Sequence, residues 1–205
     1  MDALTFRKAN PGDTSRIAEI IAEGSGQEAI GLLGNAEQAR AFEMAMVRLP
    51  KSPMGWERTV VAELGGEIVG IVQAGGHLGG LKISPSLVYL AVHEFGPLGM
   101  LRLWPRESAR RRVQPRIPDG AYHVAELDVD PAYRNRGIGG ALLDYAEAEA
   151  RERSHTQMSL TTTTINPARR LYERHGFGVT QTLTDADYER YTGIEGRHLM
   201  IKELT

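Results

Sequence analysis

The sequence predicts an α/β (α+β) fold built as one domain, a central sheet with helices on its faces. Segments with strand-like alternation or β-branched content return between segments whose apolar residues fall at helical spacing. A Gly65-Gly66 pair separates two apolar strand patterns, as a hairpin turn does. At 205 residues, 41% hydrophobic and 24% charged, the chain is long enough to bury a real core.

The elements follow in order. "LTFRKA" (Leu4–Ala9) alternates like a short strand, and "NPGD" supplies turn chemistry. Asp13 is the expected N-cap of a helix carrying Ile17, Ile20 and Ile21 as far as Gly24. A second helix is expected from Ala36 to Leu49, with Phe42, Ala45, Met46 and Leu49 on one face. "TVVAEL" and "EIVGIVQAG" form the hairpin around Gly65-Gly66. "GGHLGG" then reads as a loop, and residues 75 to about 120 as broken helices inserted between strands, a cap over the sheet or a lid over substrate. Arg106, Arg110, Arg111, Arg112 and Arg116 are expected to form a solvated face. "YHVAELDV" (Tyr122–Val129) reads as a strand, and from Ile138 an amphipathic helix carries Ala141, Leu142, Tyr145, Ala146 and Ala148. "MSLTTTT" (Met158–Thr164) is β-branched and strand-prone. Asn166 is the expected N-cap of a further helix, with Pro167 its first residue and Gly176 closing it. "VTQTL" and "RHLMIKEL" supply two final strands.

Composition excludes several function classes. A net charge of −2 argues against nonspecific grip on nucleic acid or anionic membrane. The absence of Cys removes disulfides, thiolate zinc sites and a cysteine nucleophile. "MDALTFRKANPGD" has no signal-peptide pattern, and the apolar stretch from Leu87 to Trp104 is too interrupted to span a membrane. A soluble cytoplasmic protein is expected.

Between the strand at 122–129 and the helix at 138 lies "YRNRGIGG", residues 133–140. It fails as a Walker loop, because Gly140 is followed by Ala141 and Leu142 rather than Lys-Ser/Thr. It fails as a dinucleotide fingerprint, because Leu142 stands where the third glycine belongs. Two readings remain open from these residues alone. One is a glycine-rich turn with two exposed arginines. The other is an anion site, in which backbone N–H groups at a helix N-terminus, opened by Gly137, Gly139 and Gly140, act with Arg134 and Arg136.

The wider context favours the second. "ELDVDPAYRNRGIGGALL" resembles motif A of the GNAT superfamily of N-acyltransferases, with Arg134, Gly137 and Gly139 at its (Arg/Gln)-x-x-Gly-x-(Gly/Ala) positions. Downstream, "INPARRLYERHGF" resembles the family's Asn-x-x-Ala-x-x-Leu-Tyr-x-x-x-Gly-Phe segment through Asn166, Leu171, Tyr172, Gly176 and Phe177, with Ala168 one place early. The resemblance covers most of a single domain, 1–205, apart from the insertion at about 75–120 and the substrate-facing N-terminal helices. It implies a GNAT-like mixed, mostly antiparallel sheet with a splayed strand pair and helices on both faces. It also implies acetyl-CoA as acyl donor, no metal, and an amine as acceptor. The pyrophosphate would rest on Arg134, Asn135, Arg136, Gly137, Ile138, Gly139 and Gly140. The pantetheine arm would pair along Leu127, Asp128 and Val129, with Asn166 and Arg169 completing the donor site. A homodimer is compatible with the family, and neither nucleic acid nor membrane is an expected partner.

Acyl transfer from a thioester needs a neutral amine, a stabilised carbonyl oxygen and a protonated leaving thiolate. Tyr172, six residues after Asn166, is the candidate acid. His123 is the first candidate base and Glu126 the second. Alternation places His123, Ala125, Leu127 and Val129 on one strand face, and Tyr122, Val124, Glu126 and Asp128 on the other. Tyr89, His93 and Glu94 on the insertion are candidates to read the acceptor. The competing reading is a catalytically inactive acyl-CoA-binding module with a regulatory or interaction role.

Overall fold

The computed structural model describes residues 3–49, 52, 54–76 and 85–204. Seven strands form one sheet: β1 (Thr5–Lys8), β2 (Thr59–Leu64), β3 (Glu67–Gly75), β4 (Tyr122–Val129), β5 (Gln157–Thr163), β6 (Gly178–Thr184) and β7 (Gly196–Glu203). Their order is β1-β2-β3-β4-β5-β7-β6. Neighbours pair antiparallel except β4 and β5, which are parallel. Gly65 and Gly66 both take positive φ (61° and 84°), the backbone that a two-residue hairpin between β2 and β3 requires.

Two helical layers cover the sheet. On one face α4 (Ile138–Glu152) and α5 (Arg169–Arg174) share a core with the sheet. Ile138, Leu142, Leu143, Ala146 and Ala150 of α4 meet Tyr122, Val124, Met158 and Leu160 there. On the other face lie α1 (Thr14–Leu33) and α2 (Ala36–Arg48). Ile17, Ile20 and Ile21 are essentially inaccessible and pack with Val47 on Val61 and Ile71. Each such isoleucine stabilises the fold by about 1.5–3 kcal/mol through burial. Among the described residues no helix is long and apolar enough to cross a membrane.

Several sequence expectations are corrected. Asp13 stands at the N-cap of α1, yet its side chain caps nothing there. Its carboxylate instead accepts the Asn10 N–H (2.7 Å) and pairs with Arg7 (2.7 Å). The helix does not stop at Gly24. It breaks at Gly26 (φ 42°, ψ −123°) and resumes to Leu33, because its second half docks on α6 (Ala186–Thr192). Gly31 lies so close there that an added Cβ would sit 2.5 Å from the Tyr191 carbonyl oxygen. That seven-residue α6 has no counterpart in the sequence reading, although Asp185 caps it and Gly193 closes it in the left-handed region.

The buried face of α2 is Ala39, Glu43, Met46 and Val47, which keeps only Met46 of the predicted stripe. Phe42 turns outward to Phe95, ring centroids 5.3 Å apart. Phe95 belongs to α3 (Pro85–Arg112), the main element of the region read as an insertion, which kinks at Gly96 (φ 64°, ψ 173°). Most of "GGHLGG", beyond Gly76, lies outside the described residues. The arginine run is ion-paired rather than merely solvated. Arg110 and Arg111 hold Glu107, and Arg112 holds Asp185 and Asp187.

The most consequential correction concerns β4. Gln73 pairs with Glu126 and Ala74 with Val124, so Ala125 is a bulged, unpaired residue, and it is exposed. Strand parity changes there. Tyr122, Val124, Leu127 and Val129 all face the α4 core. His123, Glu126 and Asp128 turn to the α1 side, where an added Cβ on Gly24 would fall 1.9 Å from Asp128 Oδ1.

Candidate active site

The bulge and the strand pairing together create a cleft. β4 and β5 share only three parallel rungs, Tyr122–Met158, His123–Ser159 and Val124–Leu160. Beyond Ala125, β4 stays with β3 to Val129, while β5 stays with β7 to Thr163. A bulge bends its strand and raises local twist, which drives the two apart at that point. The Asp130 N–H pairs with Val69 O on the β3 side (3.0 Å). Alternation therefore aims the backbone groups of Leu127 and Val129 at the edge that β5 has left.

The glycine loop closes one end of this cleft. Asp130 caps a 3-10 turn over Pro131–Tyr133, accepting the Ala132 N–H at 2.7 Å. Asn135 (φ 61°) and Gly137 (φ 81°) then adopt left-handed backbone and turn the chain into α4. The first helical bond of α4 runs from the Ala141 N–H to Gly137 O. The N–H groups of Ile138, Gly139 and Gly140 thus have no helical partner, and the positive end of the helix dipole lies with them. Gly137 needs glycine for its φ and faces open space, whereas Gly139 and Gly140 let α5 approach. Added Cβ atoms would sit 3.0 Å from Leu171 and 3.1 Å from His175. The two loop arginines are held apart. Arg134 Nε donates to Val129 O (3.0 Å), and the Arg136 guanidinium lies over the Tyr133 ring (5.2 Å).

Asn166 does not cap a helix beginning at Pro167. Its Oδ1 accepts the Ala168 N–H (2.8 Å), and α5 begins at Arg169. Arg169 folds along its own helix onto Glu173 (2.8 Å) rather than toward the loop. Tyr172 is 6% exposed, edge-on to Phe177, and its hydroxyl has no hydrogen-bond partner among the described residues. Burial, with Asp128 and Glu126 nearby, raises its phenol above the ordinary value.

The candidate bases part company. His123 is buried at the apex of the cleft, with Nδ1 3.0 Å from Ser159 Oγ. Burial and the nearby Arg197 push it down to about 4, so it is neutral and ties the two strands together. Glu126 and Asp128 lie past the apex, and burial raises both carboxyls. The Asp128 carboxylate further raises that of Glu126, since like charges in a poorly solvated site resist joint ionisation. Glu43 on α2 adds to this on both, and Glu28 on α1 adds to it on Glu126. One terminal nitrogen of Arg197 donates to both carboxylate oxygens of Glu28 (2.6 and 2.7 Å), and Tyr188 donates to the same carboxylate (2.7 Å). Sequence reasoning missed Ser159, Arg197, Glu28 and Glu43. A signal existed for Glu43, an acid on a stripe otherwise made of Ala39, Met46 and Val47. Tyr89, His93 and Glu94 sit on α3, which packs on α1, α2 and α6, and Tyr89 is 72% exposed. Among the described residues no group of three or more His, Asp and Glu is placed to hold a metal ion.

Comparison with known proteins agrees with this architecture. The model of the acetyltransferase (GNAT) domain matches residues 84–179. No curated protein matches the sequence. Among solved structures, an N-acetyltransferase from Staphylococcus aureus Mu50 is similar at 16% identity and TM-score 0.65, covering 96% of this chain and 99% of its own. The PaiA N-acetyltransferase from Thermoplasma acidophilum, solved in complex with coenzyme A, is 14% identical with TM-score 0.60, covering 98% and 99%. A mosquito arylalkylamine N-acetyltransferase-like protein is 20% identical with TM-score 0.58, covering 98% and 100%. At these identities the likeness is one of fold.

Proposed function

From the premise that this chain carries a GNAT acetyltransferase domain, we propose that it moves an acetyl group from acetyl-CoA to a primary amine by direct transfer in a ternary complex. The observation that carries the reading is the parting of β4 and β5 after Val124 and Leu160, with the uncapped start of α4 beside it. An extended pantetheine arm can add to the free edge at Leu127 and Val129 as a strand would. The diphosphate then falls on the N–H groups of residues 138–140 with Arg134 and Arg136 at its flank. The coenzyme A complex of the Thermoplasma protein supports the same donor.

The chemistry follows from the two walls. The acceptor amine approaches from the α1 side, where Glu126 with its raised carboxyl takes a proton directly or through water. The neutral amine nitrogen bonds to the thioester carbonyl carbon, and backbone N–H groups at the splay stabilise the developing oxyanion. Collapse breaks the C–S bond, Tyr172 gives its proton to the departing sulfur, and the proton shed by the new amide nitrogen returns through water to the phenolate. A phenol raised by burial stays protonated at neutral pH and so carries a proton to give, while the same shift makes it a weaker acid, so the transfer is driven by the negative charge that develops on sulfur as the bond breaks. With no cysteine in the sequence, a cysteinyl acyl-enzyme plays no part.

The test is calorimetric titration with acetyl-CoA, followed by a panel of primary amines monitored for free CoA thiol. Binding with amine-dependent thiol release is expected. Absence of binding overturns the donor assignment, and binding without turnover of any amine favours the inactive-module reading instead.

A further inference from the structure

The donor loop is anchored from outside the cleft by a residue that neither motif contains. Arg16, in the first turn of α1, donates through Nε to Ile68 O (3.1 Å) and through its terminal nitrogen to Asp130 Oδ2. Asp130 is 8% exposed and is the hinge of the loop. Its N–H bonds Val69 O, its carbonyl accepts the Tyr133 N–H (2.9 Å), and its Oδ1 accepts the Ala132 N–H. A buried carboxylate at the mouth of a diphosphate site is an electrostatic liability. Without a counter-charge it would repel the donor and draw Arg134, whose charge already acts on it, away from the phosphates.

We infer that Arg16 is a positioning residue for the donor, neutralising Asp130 so that the loop presents a net positive face to the diphosphate of the acyl-CoA. The inference rests on the donor reading given above. It assigns to α1 two tasks along one strand face. Near its start it neutralises Asp130, and one strand repeat earlier Gly24 leaves room for the Asp128 carboxylate. The guanidinium suits this role better than an ammonium, because it reaches Ile68 O and Asp130 together in a fixed fork.

The experiment titrates acetyl-CoA into wild type, Arg16→Ala, Arg16→Lys and the double variant Arg16→Ala/Asp130→Asn, at low and high salt. Asn at 130 keeps the Oδ1 acceptor for Ala132 and removes the charge. Arg16→Ala is expected to weaken acetyl-CoA binding about tenfold at low salt and less at high salt, with the acceptor KM unchanged. Arg16→Lys is expected to lose about threefold, and the double variant to recover most of the loss. A purely structural clamp would not be rescued by removing the carboxylate, so a double variant no better than Arg16→Ala overturns the inference, as does wild-type affinity in Arg16→Ala. Should the alanine variant fail to fold, Arg16→Gln, which keeps a hydrogen-bond donor but no charge, takes its place, and wild-type affinity in it overturns the inference. A wild type that binds no acetyl-CoA overturns the donor reading and this inference with it.

Discussion

Arg134 Nε donates to the Val129 carbonyl oxygen at 3.0 Å, along the edge of β4 that β5 has abandoned. The arginine satisfies one of the backbone groups that the pantetheine arm would use, so donor binding and this contact compete for the same lone pairs. Released, the side chain is free to meet the diphosphate. Arg134→Ala therefore loses a charge-assisted contact without exposing a new cavity, since Arg134 is itself exposed. Acetyl-CoA affinity should fall about tenfold, with an unchanged melting temperature. Calorimetry at two ionic strengths checks it, and a loss that does not shrink with salt would count against a phosphate contact.

Gly137 carries φ 81° at the start of α4 and faces open space. The cost of a side chain there is conformational rather than steric crowding. Gly137→Ala should destabilise the fold by about 1–2 kcal/mol and weaken acetyl-CoA binding as well, because the N–H groups of the loop lose their common aim. Chemical denaturation and donor titration read the two effects separately. Full stability with lost binding would show that the loop tolerates the strain by rearranging.

His123 supplies a pH signature of stability. Its folded value is depressed to about 4 from an ordinary value near 6.5. A depressed group binds fewer protons folded than unfolded, so the stability it contributes is present above about 6.5 and is lost as pH falls toward 4. His123→Gln should flatten this acid-side decline while keeping the bond to Ser159 within reach. Melting temperatures of both proteins from pH 4 to pH 8 test the point, and parallel curves would refute it.

The strand, loop and helix of the candidate donor site are legible as structure because they are local: Leu127 to Leu142 form one continuous run whose glycines and apolar spacing state their own geometry. The acceptor side was not legible. The bulge at Ala125 depends on the register between β3 and β4, strands separated by the whole of α3, and it moves Glu126 away from the face that simple alternation assigns to it and Asp128. Arg197 and Glu28 meet across 169 residues of sequence. In sequence, a histidine four residues before Leu127 has the chemistry of a base, and only the pairing of β4 with β5 shows that it lies at the closed apex. Helix α6 leaves little trace in the sequence because seven residues carry too little periodicity, though Asp185 and Gly193 mark both its ends.

The pair Glu126 and Asp128 should govern the pH dependence of activity. Their carboxyls titrate above the ordinary range, so base function is lost as pH falls through that raised value. Their effect on stability has the opposite sign to that of His123. A raised acid binds more protons folded than unfolded, so stability falls as pH climbs from the ordinary carboxylate range through the folded value. Glu126→Gln should thus lower turnover by about 10²–10⁴-fold and at the same time make the protein more resistant to alkaline unfolding. An active Glu126→Gln variant would remove the glutamate from the mechanism.

Tyr172 separates binding from chemistry. Its hydroxyl makes no bond to any described residue, so Tyr172→Phe leaves the packing against Phe177 intact and removes one proton donor. Acetyl-CoA affinity and melting temperature should both hold. Thiol release should fall by about 10²–10⁴-fold, the range that general acid catalysis contributes. The loss should also be graded by the leaving group. A donor with a more acidic thiol needs less help from the phenol, so an activated thioester should recover part of the rate in the phenylalanine variant and gain little in wild type. Single-turnover measurements with both donors decide the matter. Equal sensitivity of the two proteins to the leaving thiol would mean that the tyrosine serves the core, and that water or the acceptor itself protonates the sulfur.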